Sequence, residues 1–225
     1  MSIRAAAEAV KEVYEAFADE RAPTAIDACP CCHGKEPLCK LVSTSLRSIR
    51  PELLSKYSGS VFFTCGSEQD FKYLLPRILE IVTDDLAFGM GPEVTVGKLA
   101  LAHWEKWPER QRSAVLGLLT ALFERALKDS DDAGRALDSL LCAYARARMN
   151  VKPFLERLLQ PEHGPKLIAL YETHSSTLNT KGRLSNPFWK EVPESTRFEV
   201  VSWLRSERVD KKLWEAYEAR AQNAG

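Results

Sequence analysis

Residues 108–127 read PERQRSAVLGLLTALFERAL. Val115, Leu116, Leu119, Leu122, Phe123 and Leu127 return at steps of one, three and four. A strand would alternate its apolar side chains every second residue, whereas this spacing gathers them on one side of a helix. Pro108 stands where a helix tolerates proline, at its first turn. The stretch therefore reads as an amphipathic helix with a broad apolar face.

The same period extends in both directions. Towards the C-terminus, Leu137, Leu140, Leu141 and Tyr144 form the next stripe, with Asp131 and Asp132 as expected caps. Phe154–Leu159 and Pro165–Tyr171 read as shorter helices divided by Pro161 and Gly164. The polar run Thr173–Pro187, with Gly182 and Pro187, reads as a long exposed loop. Two closing helices are expected near Ser195–Leu204 and Val209–Arg220. Towards the N-terminus, Val94–Trp107 reads as one helix weakened at Gly97, and 84–92 as a glycine-containing connection. Ser67 and Asp70 form a variant capping box ahead of the stripe Phe71, Leu74, Leu75, Ile78, Leu79 and Val82. Pro76 within that stripe predicts a kink or two abutting helices. Pro51 opens a further helix; Leu38, Leu41, Val42 and Leu46 suggest a short one. Ile3, Ala7, Val10, Tyr14 and Phe17 form the stripe of an opening helix.

Only Val61-Phe62-Phe63-Thr64 and Val94-Thr95-Val96 favour strand, and both are short. The expected fold is all-α: a multi-helix bundle or a degenerate, HEAT-like α-solenoid. The expectation is one helical domain over 1–225, with a cysteine-rich loop over 23–40 after the first helix.

Composition narrows the partners. Lys plus Arg number 31 and Asp plus Glu 31, so the formal net charge is zero. A chain that tracks nucleic acid gains affinity from a basic excess, and none exists here. No run approaches the roughly 18 apolar residues of a membrane span. Met1-Ser2-Ile3-Arg4 lacks the apolar core of a secretory signal, so the cytoplasm is the expected compartment. Thiols stay reduced there. The six cysteines, at 29, 31, 32, 39, 65 and 142, are then metal ligands or buried thiols.

The densest chemistry lies in Cys29-Pro30-Cys31-Cys32-His33, followed by Cys39. Cys29 and Cys32 form a CxxC pair, which places two thiolates on one ion from a single turn. The remaining ligands of a tetrahedral site come from His33, Cys31, Cys39 or Cys65; the expected set is Cys29, Cys32, Cys39 and His33 around zinc. Two other readings compete. The thiols are small buried side chains, or the CxxC is redox-active, which calls for a strand-to-helix setting.

Catalytic signatures are absent. There is no HExxH, GxSxG or GxxxxGK[ST], and His33, His103, His163 and His174 show no helix-face pairing. Lys72, Arg77 and Glu80 read as ion pairs on a helix, and Trp104 and Trp107 as packing at a helix junction. The basic runs Arg146, Arg148, Lys152 and Arg205, Arg208, Lys211, Lys212 read as solvated faces.

Cys29-Pro30-Cys31-Cys32, the run GSEQDFKYLLPRILE (66–80), Asn186-Pro187-Phe188-Trp189 and Val201-Ser202-Trp203-Leu204 together resemble an uncharacterised family of bacterial all-helical proteins of similar length. The resemblance spans most of the chain. It implies a bacterial, cytoplasmic, helical protein and supplies no catalytic residues. The expected function is a non-enzymatic scaffold that binds another protein, such as an immunity or adaptor protein of a bacterial conflict system, with a structural metal knuckle. The alternatives are a metal-assisted hydrolase and a nucleic-acid binder.

Overall fold

A computed structural model describes residues 3–129 and 133–222. The protein is all-α. Among the described residues there is no strand, only two isolated β-bridges that join Cys65 to Ala28 and to Val61. The chain divides into two compact units, one ending at Arg125 and one beginning at Ala126.

The first unit contains α1 (Ile3–Ala16), α2 (Lys35–Ser43), α3 (Pro51–Ser60), α4 (Glu68–Asp84), the single turns α5 (Pro92–Thr95) and α6 (Lys98–Leu101), and α7 (Glu109–Ala126). Its central rod is α4, which packs against α1 and α3. The predicted capping box is formed: the Ser67 hydroxyl accepts from the Asp70 backbone, and the Asp70 carboxylate accepts from the Ser67 N–H. Phe71, Leu74, Leu75, Ile78, Leu79 and Val82 are all buried.

Pro76 does not divide this helix, which is assigned without a break from Glu68 to Asp84. The energies explain why. An interior proline costs about 3 kcal/mol. Burying each of the six apolar side chains returns about 1.5–3 kcal/mol. The stripe outweighs the proline several times over.

Val94–Trp107, expected as one helix, is instead broken into α5, α6 and a 3₁₀ turn over Trp104–Lys106. His103 sits at a left-handed φ of 49°, which no continuous helix admits. The interruption brings Lys98 to the end of α3, where its ammonium donates to the carbonyls of Gly59 and Val61 at 3.0 and 3.1 Å. Trp107 is buried as a junction residue. Its ring meets Phe17 edge-on at 5.6 Å, and its indole N–H bridges the Glu68 carboxylate and the Ala102 carbonyl.

The second unit contains α8 (Ala133–Arg146), α9 (Lys152–Leu158), α10 (Gly164–Lys181), α11 (Glu194–Leu204) and α12 (Glu207–Gln222). The expected caps Asp131 and Asp132 lie outside the described residues. The central rod α10 packs against α8, α9 and α12.

The run from Thr173, expected as a loop to Pro187, is helical as far as Lys181. Its buried stripe continues from Leu167 and Leu170 through His174 to Leu178. A histidine standing where the period calls for an apolar residue makes that stripe look broken. The Ser and Thr residues do not compete with the helix, because they bond back into it. Thr173, Thr177 and Thr180 donate to the carbonyls of Ala169, His174 and Ser176.

Where α8 crosses α10, Gly134 admits a close backbone approach. A Cβ there would lie 2.3 Å from the Ala169 carbonyl oxygen and 2.6 Å from the Thr173 hydroxyl. Gly134→Ala separates two opposed effects. Helix propensity favours alanine by about 1 kcal/mol, but overlap with a fixed carbonyl costs more. The expected net destabilisation is about 1–3 kcal/mol, read as a lower urea midpoint. An unchanged or raised midpoint refutes the close approach.

Candidate functional site

The cysteine turn is held to the first unit by main-chain bonds. The Cys29 N–H donates to the Thr64 carbonyl and the Gly66 N–H to the Asp27 carbonyl, both at 2.8 Å. These two bonds flank the Ala28–Cys65 bridge. Gly66 makes the receiving turn feasible with a φ of 70°. Phe62, in the same turn, also has a positive φ, of 69°, and its ring packs edge-on against Phe71 at 5.2 Å.

Beyond the bridge the chain curls on one carbonyl. Cys29 O accepts from the N–H groups of Cys32 and His33, each at 3.0 Å. Pro30 occupies the second position of this turn, where its fixed φ is already suitable. Three sulfurs converge as a result. Sγ of Cys29 lies 2.8 Å from that of Cys31, and Cys31 lies 3.6 Å from Cys32. All three ligand atoms fall within 4.8 Å of one another, the one such metal-competent group of His, Cys, Asp or Glu side chains among the described residues. Cys31 and Cys32 are exposed and Cys29 is half-buried.

The expected ligands are thus brought together only in part. Cys29 and Cys32 meet, and Cys31 joins them. His33 points the other way: it is buried, and its Nε2 lies 3.0 Å from the Thr64 hydroxyl. Burial, helped by the nearby Lys56 ammonium, lowers its pKa. Cys39 is exposed on α2 and outside the group. Cys65 is itself a bridge residue with a buried side chain, and burial raises its pKa.

The thiols differ electronically. Hydrogen bonds from Cys31 to the Cys29 sulfur lower the Cys29 pKa. Cys32, whose bonds to Cys31 and Cys29 favour its protonated form, is pushed up to about 11. Because thiolate is the nucleophile, Cys29 is expected to react with iodoacetamide well before Cys32 near pH ~8. Peptide mapping of a partly alkylated sample reads the order, and equal labelling contradicts it.

A second polar centre lies in the second unit. His174, 1% exposed, donates from Nε2 to Asp138 Oδ1 at 3.0 Å. Its Nδ1 accepts the Ser185 backbone N–H at 3.1 Å. The Trp189 indole donates to the same Asp138 oxygen at 2.8 Å. A His–Asp pair suggests catalysis, but both ring nitrogens are engaged, so the imidazole has no lone pair to offer a substrate. Its role here is to tie the 185–189 segment to α8 and α10. No local spacing links these three residues, and only the fold reveals them. Asp138→Ala strands two buried donors and is expected to cost about 2–5 kcal/mol. Thermal or urea unfolding measures it, and a loss below about 1 kcal/mol contradicts the tie.

No protein-family model, curated protein or solved structure gives a match to this chain. Among the described residues, no helix is long and apolar enough to cross a membrane.

Proposed function

We propose that this chain is a non-enzymatic helical scaffold that holds a thiophilic metal ion at its exposed cysteine turn and engages another protein through its helical faces. The observation that carries the metal is the convergence of Cys29, Cys31 and Cys32 on a turn anchored by backbone bonds. Zinc is the ion expected from the CxxC pair. All three thiols come from one turn, so the ion is a knuckle of local reach. It orders residues 29–33 and does not clip remote segments, and closing so short a loop removes little chain entropy.

The partner reading is supported by aromatic side chains left outside. Phe198, Trp214 and Tyr217 are exposed on α11 and α12 of the second unit. The same unit has an open apolar groove of about 650 Å³ floored by Leu158, Leu167 and Ile168. Large exposed aromatics are common anchors of protein interfaces. The basic residues offer nucleic acid less. Arg146 pairs with Glu191 at 2.7 Å, and Arg208 makes a two-point bond to Glu156.

A metal-assisted hydrolase is the second reading, favoured by the open side of the three-thiol group. The imidazole of His33, the histidine nearest the thiols in sequence, is turned onto Thr64 and away from them.

Elemental analysis of reduced, purified protein tests the proposal. One equivalent of metal is expected in the native chain and in Cys39→Ser, and none in Cys29→Ser or Cys31→Ser. Melting temperatures are expected to stay nearly unchanged. A native chain without metal refutes the metal site. Turnover of a chromogenic ester by the loaded protein, abolished in Cys29→Ser, favours the hydrolase.

A further inference from the structure

The donor set and its count say more about the ion. Building on the metal-binding reading above, we propose that Cys29, Cys31 and Cys32 form a three-thiolate site for a soft monovalent d10 cation of the copper(I) class.

Every converging donor is sulfur. Sulfur-only sets select copper(I), zinc or iron–sulfur clusters. Zinc in a structural site and iron–sulfur clusters each call for four protein ligands. The group found here has three among the described residues. The residues that sequence spacing offers as a fourth are placed elsewhere: His33 on Thr64, and Cys65, buried, and Cys39, exposed, both outside the group. Copper(I) is satisfied by three thiolates in a plane and needs no water to complete its shell.

The spacing is compatible. At a metal–sulfur distance of about 2.3 Å, three coplanar sulfurs lie about 4 Å apart. The observed group spans separations from 2.8 Å up to no more than 4.8 Å. The short separation is that of Cys29 and Cys31, and the Cys31 side chain, being exposed, is the one with room to turn outward. Each thiol that binds releases its proton to solvent, and the metal does not change oxidation state.

The experiment titrates the reduced, full-length chain anaerobically with copper(I) held by a chromogenic chelator, and separately with zinc. One equivalent of copper(I) is expected, with three sulfur neighbours by X-ray absorption. Cys29→Ser, Cys31→Ser and Cys32→Ser are each expected to weaken copper(I) binding by at least about tenfold, the smallest loss that even an outer-shell change produces. Cys39→Ser should leave it unchanged. A zinc form with four protein ligands that include Cys39 or His33 overturns this inference while preserving the metal-binding reading. So does copper(I) binding indifferent to Cys31→Ser. Binding of neither ion overturns both.

Discussion

Each unit depends on one central helix whose apolar stripe is covered by more than one neighbour. Isolated helices of this length are marginal in water, so α4 and α10 persist because neighbours remove their stripes from solvent. That constraint is strong enough to absorb local violations. In α4 it carries an interior proline; in α10 it carries a histidine and a series of Ser and Thr residues. The exceptions are then repaired individually. The imidazole of His174 finds a carboxylate and a backbone N–H, and the hydroxyls bond to carbonyls one turn earlier.

The cysteine turn follows a different logic. It owes little to apolar burial and much to a short stretch of paired backbone between 27–29 and 64–66. That pairing sorts consecutive residues by direction. His33 enters the body and meets Thr64, while Cys31 and Cys32 face solvent. Lys98 supports the receiving side, with its ammonium on the carbonyls of Gly59 and Val61 and 3.7 Å from the centre of the Phe63 ring. Phe63 itself is 71% exposed, so the thiols share their surface with an aromatic side chain.

Much of this was legible in the amino-acid order. Helical periods located α1, α2, α3, α4, α7, α8 and α9, because in each of them recurring apolar residues make up most of the buried side. The capping box at Ser67 and Asp70 was legible for a similar reason, since its chemistry is complete within four residues. What escaped depends on partners distant in sequence. The helix through Thr173–Lys181 was hidden because its inward residue is polar and is satisfied by Asp138, on another helix. The break at His103 was hidden because a left-handed φ at a residue other than glycine has no marker in the apolar spacing. In the cysteine turn, motif spacing marked Cys29 and Cys32 but not the direction of His33, which Thr64 decides from the far side of the bridge.

The turn is anchored through peptide groups, and this leaves its side chains free to vary. Substitution at Asp27 or Ala28 preserves the donors and acceptors that fix the strand-like register, provided proline is avoided. The donor set at 29, 31 and 32 can therefore be exchanged one atom type at a time on an unchanged pedestal. Drift at these three positions alters the chemistry the loop shows to solvent and leaves the backbone pairing beneath it in place.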